Sequence, residues 1–453
     1  MTDSRGRPPR TVPWAPVPAR PASTPPADEP STDRATADPA TSSTVSSTAS
    51  STAGTAAAPA KRRLVGVDAA RGLALIGMIA IHILPSWDPE TFEPTAQWTV
   101  FAGRSAALFA LLAGVGLAFS TGGRTPHTGR AMTADRAGVA VRALLIAGLG
   151  LAINHVLPGS TIDEVPAVNI LVYYGAFFLL AIPFLRLPAR ALFVWAGVFA
   201  LAGPALVHLL RDVLPVVERY NPDYLDLVGD PGDPGATAAR LLLTGTFPAL
   251  PYLAYLLTGL AIGRLDLAGI RVQTGLVLGG ALLAAGASLA SWVLVDRAGG
   301  LDQLVTRTPG VDEELVTEVI VFGPDPTLPT TTWWWLTVGG PYTNTPPALL
   351  LGLGSAVAAL GVFLLLARRW ASWLLPLSAM GAMTLTVYSA HLLALAAEVH
   401  YDQPLWFWIH VAVAMAFALL WRQAMGQGPL ERLVAALVRA TRRRVLAREQ
   451  RPG

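Results

Sequence analysis

Asp68, Arg71 and His82 all fall inside one apolar run, 67-VDAARGLALIGMIAIHILP-85. On a helix, Arg71 and His82 are about 1100° apart, within ~20° of whole turns, so they share a face. They stand ~16 Å apart along the axis. Asp68 joins the same stripe, and Gly72 beside it admits a close neighbour. A single polar stripe on an apolar helix points into a bundle rather than toward lipid. A second stripe, Thr384, Tyr388, His391 and Glu398, has spacings of four, three and seven residues and also shares one face. Arg104, Asn154, His155, Asn169, Tyr173 and Tyr174 add polar groups near the ends of other apolar runs. His82, His155 and His391 are expected to meet at one level of the bundle. An imidazole titrates near neutrality and accepts a proton from a hydroxyl or an amine, which suits general-base acyl transfer. His82 is the expected base, assisted or oriented by His391 and Tyr388. Asp68 sets Arg71, and Arg71 and Arg104 hold the phosphates of an acyl-CoA donor, with Tyr388 beside them. Blander readings stand next to these: Asp68 with Arg71 as an anchoring ion pair, His155 as an interfacial residue, and Glu398, His400 and Asp402 as solvated groups at a helix end.

The elements that position these residues follow from composition. The chain has 453 residues, 53% hydrophobic and only 14% charged, with a mean hydropathy of +0.48. A soluble protein of that length needs more charge on its surface. Ten apolar runs lie at about 64–85, 97–119, 137–156, 167–185, 191–210, 241–263, 273–295, 347–367, 373–397 and 404–421. A span takes ~20 residues. The expected fold is an all-α polytopic transmembrane bundle of about ten helices. Alternate connections are arginine-rich (Arg124, Arg130 and Arg136; Arg186 and Arg190; Arg264 and Arg271; Arg368 and Arg369). The positive-inside rule then puts both termini in the cytoplasm of an inner or plasma membrane.

Residues 1–60 are rich in Pro, Ala, Ser and Thr and read as a disordered cytoplasmic tail. Residues 61–425 form the membrane domain, and 426–453 a basic amphipathic segment expected along the inner leaflet. The long connection 296–346 carries 333-WWW-335, an interfacial belt or a stacking surface for a sugar. The pI of about 9.4 reflects membrane flanks, and no aromatic-basic interleaving suggests nucleic acid. The chain has no cysteine, which excludes thiolate chemistry. No Gly-x-Ser-x-Gly, Walker or zinc motif appears.

The stretch 68-DAARGLALIGMIAIH-82 resembles the opening helix of the transmembrane acyltransferase superfamily. That group includes the acyltransferase-3, heparan-alpha-glucosaminide N-acetyltransferase-like and DUF418 (YeiB-like) proteins. In the acyltransferase-3 branch the pattern is Arg, ten residues, catalytic His, as with Arg71 and His82. The stretches 103-GRSAALFALLAGVGLAF-119, 247-FPALPYLAYLLTGLAIGRLD-266 and 343-TNTPPALLLGLGSAVAALG-361 look more like the other two branches. So do 380-MGAMTLTVYSAHLL-393 and 428-GPLERLV-434. The N-acetyltransferase branch usually places its histidine in the loop after the first span, and 86-SWDPETFEPTAQ-97 has none. The resemblance implies an acetyl-CoA or other acyl-CoA donor, no metal, and an amine or hydroxyl acceptor on an envelope sugar or lipid-linked glycan. Membrane lipid is the expected surrounding partner, and self-association into a homo-oligomer is left open. Two other functions fit the same polar stripes: export of a small polar metabolite, or a non-catalytic partner role in the membrane.

Overall fold

Every apolar run in the sequence contains helix, and no strand occurs among the described residues. The computed structural model describes residues 64–159, 165–214, 220–229, 233–325, 327–398 and 404–447. The tail expected over residues 1–60, and His400 and Asp402, lie outside them. In chain order the helices are α1 (Val65–Ile83), α2 (Ala96–Ser120), α3 (Gly129–Val156), α4 (Leu171–Arg186), α5 (Ala189–Leu210) and α6 (Ala249–Ile262). There follow α7 (Ile270–Arg297), α8 (Pro346–Trp370), α9 (Leu375–Gly381), α10 (Thr384–Ala396), α11 (Pro404–Met425) and α12 (Pro429–Ala447).

Seven of these, α1, α2, α3, α5, α7, α8 and α11, are long and apolar enough to cross a membrane, and nine passages result if each bent pair counts as one. The run 241–263 is one bent pair, Pro234–Thr244 followed by α6 at 52°, and the run 373–397 is the other, α9 followed by α10 at 80°. The run 167–185 gives only the shorter α4. It tightens into a 3₁₀ turn over Ile182–Arg186, where Pro183 lacks an N–H for the helical ladder. The protein is therefore an all-α, multi-pass membrane protein in which the ten apolar runs become seven long helices, two broken passages and one short helix.

Backbones touch where glycines face each other. A Cβ on Gly259 of α6 would fall on the carbonyl oxygen of Leu111 in α2, and one on Gly114 would fall on that of Leu256. Similarly, Gly381 of α9 lies against the Asp68 carbonyl, and Gly72 against Leu377. Small residues are the usual means of tight helix contact in a membrane, where apolar area gives little drive. The outer faces are left apolar, as at Leu278, Leu282 and Leu289 of α7.

The break between α9 and α10 has a partner. The first N–H groups of a helix lack acceptors in their own ladder. Here the Glu431 carboxylate of α12 accepts from the backbone N–H of Leu385 (2.7 Å) and Thr386 (3.1 Å) and from Thr386 Oγ1 (2.6 Å). The C-terminal helix forms where expected, but it docks on α3, with Val438 and Arg442 against Gly138 and Arg442 paired to the buried Asp135 at 2.7 Å. One side of it meets α3, while Leu433, Leu437 and Leu446 stay exposed on the helix.

The connection between α7 and α8 has a small core of its own, built from Val295, Leu304, Val316, Val319, Trp335 and Val338. Trp335 is buried and donates Nε1–H to Thr308 Oγ1 at 3.0 Å. Only Trp333 of the tryptophan triplet is exposed, and its ring lies 4.7 Å from that of His208. The triplet thus anchors the loop.

Candidate active site

The polar stripe of α1 lies inside the bundle. Asp68 is 4% exposed. Arg71 Nη1 donates to its Oδ1 at 2.9 Å, and Nη2 donates to the Leu112 carbonyl of α2 at 3.2 Å. Removing a charge pair from water is costly, so such a pair persists only with good geometry. Arg71 keeps a partly exposed side chain. Arg142 of α3 is within electrostatic reach of Arg71, and Glu431 supplies the opposing charge. The Arg142 guanidinium lies over the Phe178 ring at 5.0 Å. The Tyr174 hydroxyl is buried without a hydrogen-bond partner among the described residues. It lies within electrostatic reach of Arg71, Arg142 and Tyr388. A column of polar groups therefore rises from the arginines through Tyr174 and Tyr388 toward His82.

At the other end of α1 three imidazoles form a chain. His82 Nδ1 is 3.1 Å from His391 Nε2, and the two rings stack with centroids 5.3 Å apart. His391 Nδ1 is 2.9 Å from His410 Nδ1 of α11. His391 is 4% exposed, while His82 and His410 are half-buried. The nitrogens pair with one another instead of converging on a point. No metal-binding group of three or more His, Cys, Asp or Glu side chains occurs among the described residues. Tyr388 lies one turn before His391, its ring 6.4 Å from that of His82.

His82 lines a cavity of ≈ 1030 Å³ formed at the loop end of the bundle, with Trp87, Trp98, Arg211, Arg240 and Tyr342 also on its wall. That size suits a sugar or other small polar molecule. The connection between α7 and α8 covers part of it, tied down by a 3.0 Å bond from Trp98 Nε1 to the Val321 carbonyl. Burial pushes the Tyr342 phenol up to about 12, so it stays a neutral donor at ordinary pH.

Other expected residues are placed elsewhere. His155 does not join His82 and His391. It pairs with Asp223 Oδ2 at 3.2 Å and packs against Tyr224 at 4.7 Å, because the loop after α5 folds back onto the end of α3. Asn154 and Asn169 belong to the same clasp, joined at 2.7 Å and satisfied by the Pro222 carbonyl and Asn221. Arg104 is not brought to Arg71. It starts the second part of α2, donates to the Thr99 carbonyl, and lines a ≈ 220 Å³ cavity with Tyr252, Tyr255 and Tyr342. Arg71 meets α2 at Leu112, ~12 Å further along that helix. Sequence reasoning missed His410 and Arg142. The signal for each was an ionisable residue inside an apolar run, which is a site candidate by default.

Fold and centre together define a class: a polytopic helical membrane protein with a polar column threaded from its first helix. Over residues 63–276 the chain matches the family model described as heparan-alpha-glucosaminide N-acetyltransferase, catalytic. That match, over just under half of the chain, supports a likeness to the heparan-alpha-glucosaminide N-acetyltransferase-like membrane proteins. No curated protein matches the chain. The matched segment contains Asp68, Arg71, His82, Arg104 and Arg142. Tyr388, His391 and His410 lie beyond it.

Proposed function

We propose that the protein transfers an acetyl or similar acyl group from acyl-CoA, entering at the arginine end, to an amine or hydroxyl of an envelope sugar or lipid-linked glycan held in the ≈ 1030 Å³ cavity. The observation that carries this reading is the placement of both polar centres on one face of α1. His82 opens on the cavity, and Arg71 sits ~16 Å away along the axis with Arg142 near it. An extended pantetheine arm spans such a gap, with its phosphates at the guanidiniums. Arg104 lines the adjoining ≈ 220 Å³ cavity, which shares Trp98, Tyr342 and Asn344 with the larger one, and serves the acceptor from there. In the reaction the acceptor nitrogen or oxygen attacks the thioester carbonyl while His82 takes its proton. The carbon–sulfur bond breaks, and CoA leaves as a thiolate that is protonated in solvent.

Inverted vesicles carrying the wild-type chain or His82→Ala, supplied with acetyl-labelled acetyl-CoA, test this. Label is expected in lipid or glycan from the wild type, falling at least ~100-fold in the variant. Equal labelling from the two forms removes His82 as the base. No transfer above empty vesicles with any acyl-CoA removes the enzymatic reading.

The two broken helix passages favour one other reading, export of a small polar metabolite along the same column. It predicts counterflow of solute without CoA release.

A further inference from the structure

We propose that His410 is a positioning residue: it fixes the tautomer of His391 and thereby leaves Nε2 of His82 bare toward the cavity. The inference rests on the acyl-transfer reading only for its catalytic consequence.

A neutral imidazole carries one N–H and one lone pair, and each of the two bonds in the chain needs one of each. His82 Nδ1 meets His391 Nε2, and His391 Nδ1 meets His410 Nδ1. Only two neutral arrangements satisfy both. In one, His410 donates to His391, His391 donates to His82 Nδ1, and the proton of His82 lies on Nε2. In the other, His82 donates from Nδ1 to His391 Nε2, His391 donates from Nδ1 to His410, and Nε2 of His82 has a free lone pair. Only the second gives the cavity a base.

His391 is the buried middle ring, and His410 is the partner of its Nδ1. Among the described residues, the titratable groups that act on His391 are His82 and His410, and no carboxylate bonds to it. Remove the acceptor at position 410, and a proton on His391 Nδ1 is buried without a partner, an expensive state. The proton then moves to Nε2, where it bonds His82 Nδ1. His82 must carry its own proton on Nε2, and the base is lost. A carboxylate can only accept, whereas His410 Nδ1 can donate or accept; the proposal is that it accepts, and its lone pair then holds the proton on His391 Nδ1.

Two variants separate this from simple packing. His410→Phe keeps a flat ring and removes the acceptor. His410→Asn keeps an acceptor oxygen near the place of Nδ1. The full chain, labelled with ¹⁵N-histidine and held in lipid nanodiscs, reports the tautomer of each ring directly. The seven histidines are assigned by single replacement. Wild type is expected to show His82 and His391 protonated on Nδ1. His410→Phe is expected to move both protons to Nε2, and His410→Asn to restore the wild-type pattern. In vesicles with acetyl-CoA and glucosamine, kcat should fall ~100-fold in His410→Phe and recover to within roughly five-fold in His410→Asn, with the KM for acetyl-CoA unchanged. A wild-type His82 protonated on Nε2, or tautomers that do not change in His410→Phe, overturns the assignment. If wild-type vesicles transfer nothing, the acyl-transfer reading falls, and the tautomer comparison still decides the role of His410.

Discussion

Glu431 is the residue whose loss should be felt furthest from where it sits. It belongs to the C-terminal helix, yet it caps the first turn of α10 through three bonds of 2.6 to 3.1 Å. α10 starts afresh after an 80° break, so its leading N–H groups have no ladder behind them. A capping side chain is worth ~1 kcal/mol, and a negative charge at a helix N-terminus adds ~0.5 kcal/mol. Leaving half-buried donors without an acceptor adds about 1 kcal/mol more. Glu431→Ala should therefore lower the unfolding free energy by about 2 to 3 kcal/mol, and Glu431→Gln, which keeps an acceptor without the charge, by about 1 kcal/mol. The measurement is equilibrium unfolding of the full chain in mixed micelles. A cycle with Thr386→Val should return a coupling near 1 kcal/mol, as expected for directly bonded side chains. Because α10 also presents Tyr388 and His391 one and two turns in, acyl transfer should weaken along with stability. Losses below about 0.5 kcal/mol for Glu431→Ala, with no coupling to Thr386, would refute the claim that this carboxylate holds the break.

Gly259→Leu should cost about 3 kcal/mol or more, because its Cβ would land on the Leu111 carbonyl oxygen, which cannot move without displacing α2. Gly279→Ala, with nothing within 4 Å of the added carbon, should be neutral or stabilising by up to ~1 kcal/mol; unfolding midpoints of the two variants check the contrast. Arg142→Ala should raise the KM for acetyl-CoA ~10-fold with kcat nearly unchanged, since the proposed reaction puts it beside the donor phosphates and away from the base. A fall in kcat at constant KM would move Arg142 out of the donor site.

The inward stripe on α1 was legible because its period is a property of one helix. Asp68 and Arg71 pair as the spacing implies, and His82 lies toward the same interior. The contact of His82 with His391 followed from depth alone, once both helices were oriented. The same reasoning put His155 at that depth, but depth says nothing of azimuth, and a loop residue, Asp223, captured it. The breaks in the runs 241–263 and 373–397 were hidden for another reason. Hydropathy averages over a window and registers apolar length, while an 80° turn is set by a few backbone angles and by a carboxylate from a distant helix. The C-terminal helix shows the same limit. Its basic amphipathic pattern did not disclose that one side pairs with Asp135 on α3, while the leucines on the rest of the helix stay exposed.

The division of the centre between two halves of the chain bears on what the family match can carry. Residues 63–276 contain the donor-side arginines and His82. The ring that touches His82, and the ring behind that one, come from α10 and α11, beyond the match. The loop that carries the histidine in the N-acetyltransferase branch has none here. A histidine moved from a loop onto a helix is no longer free to find its own water contacts. Its tautomer must be set by protein, and among the described residues the ring it bonds to is an imidazole, backed by another. If the chemistry has moved onto α1, residues of the unmatched half had to move with it. A chimera that keeps residues 63–276 but replaces α10 and α11 should therefore retain its fold family and lose the base.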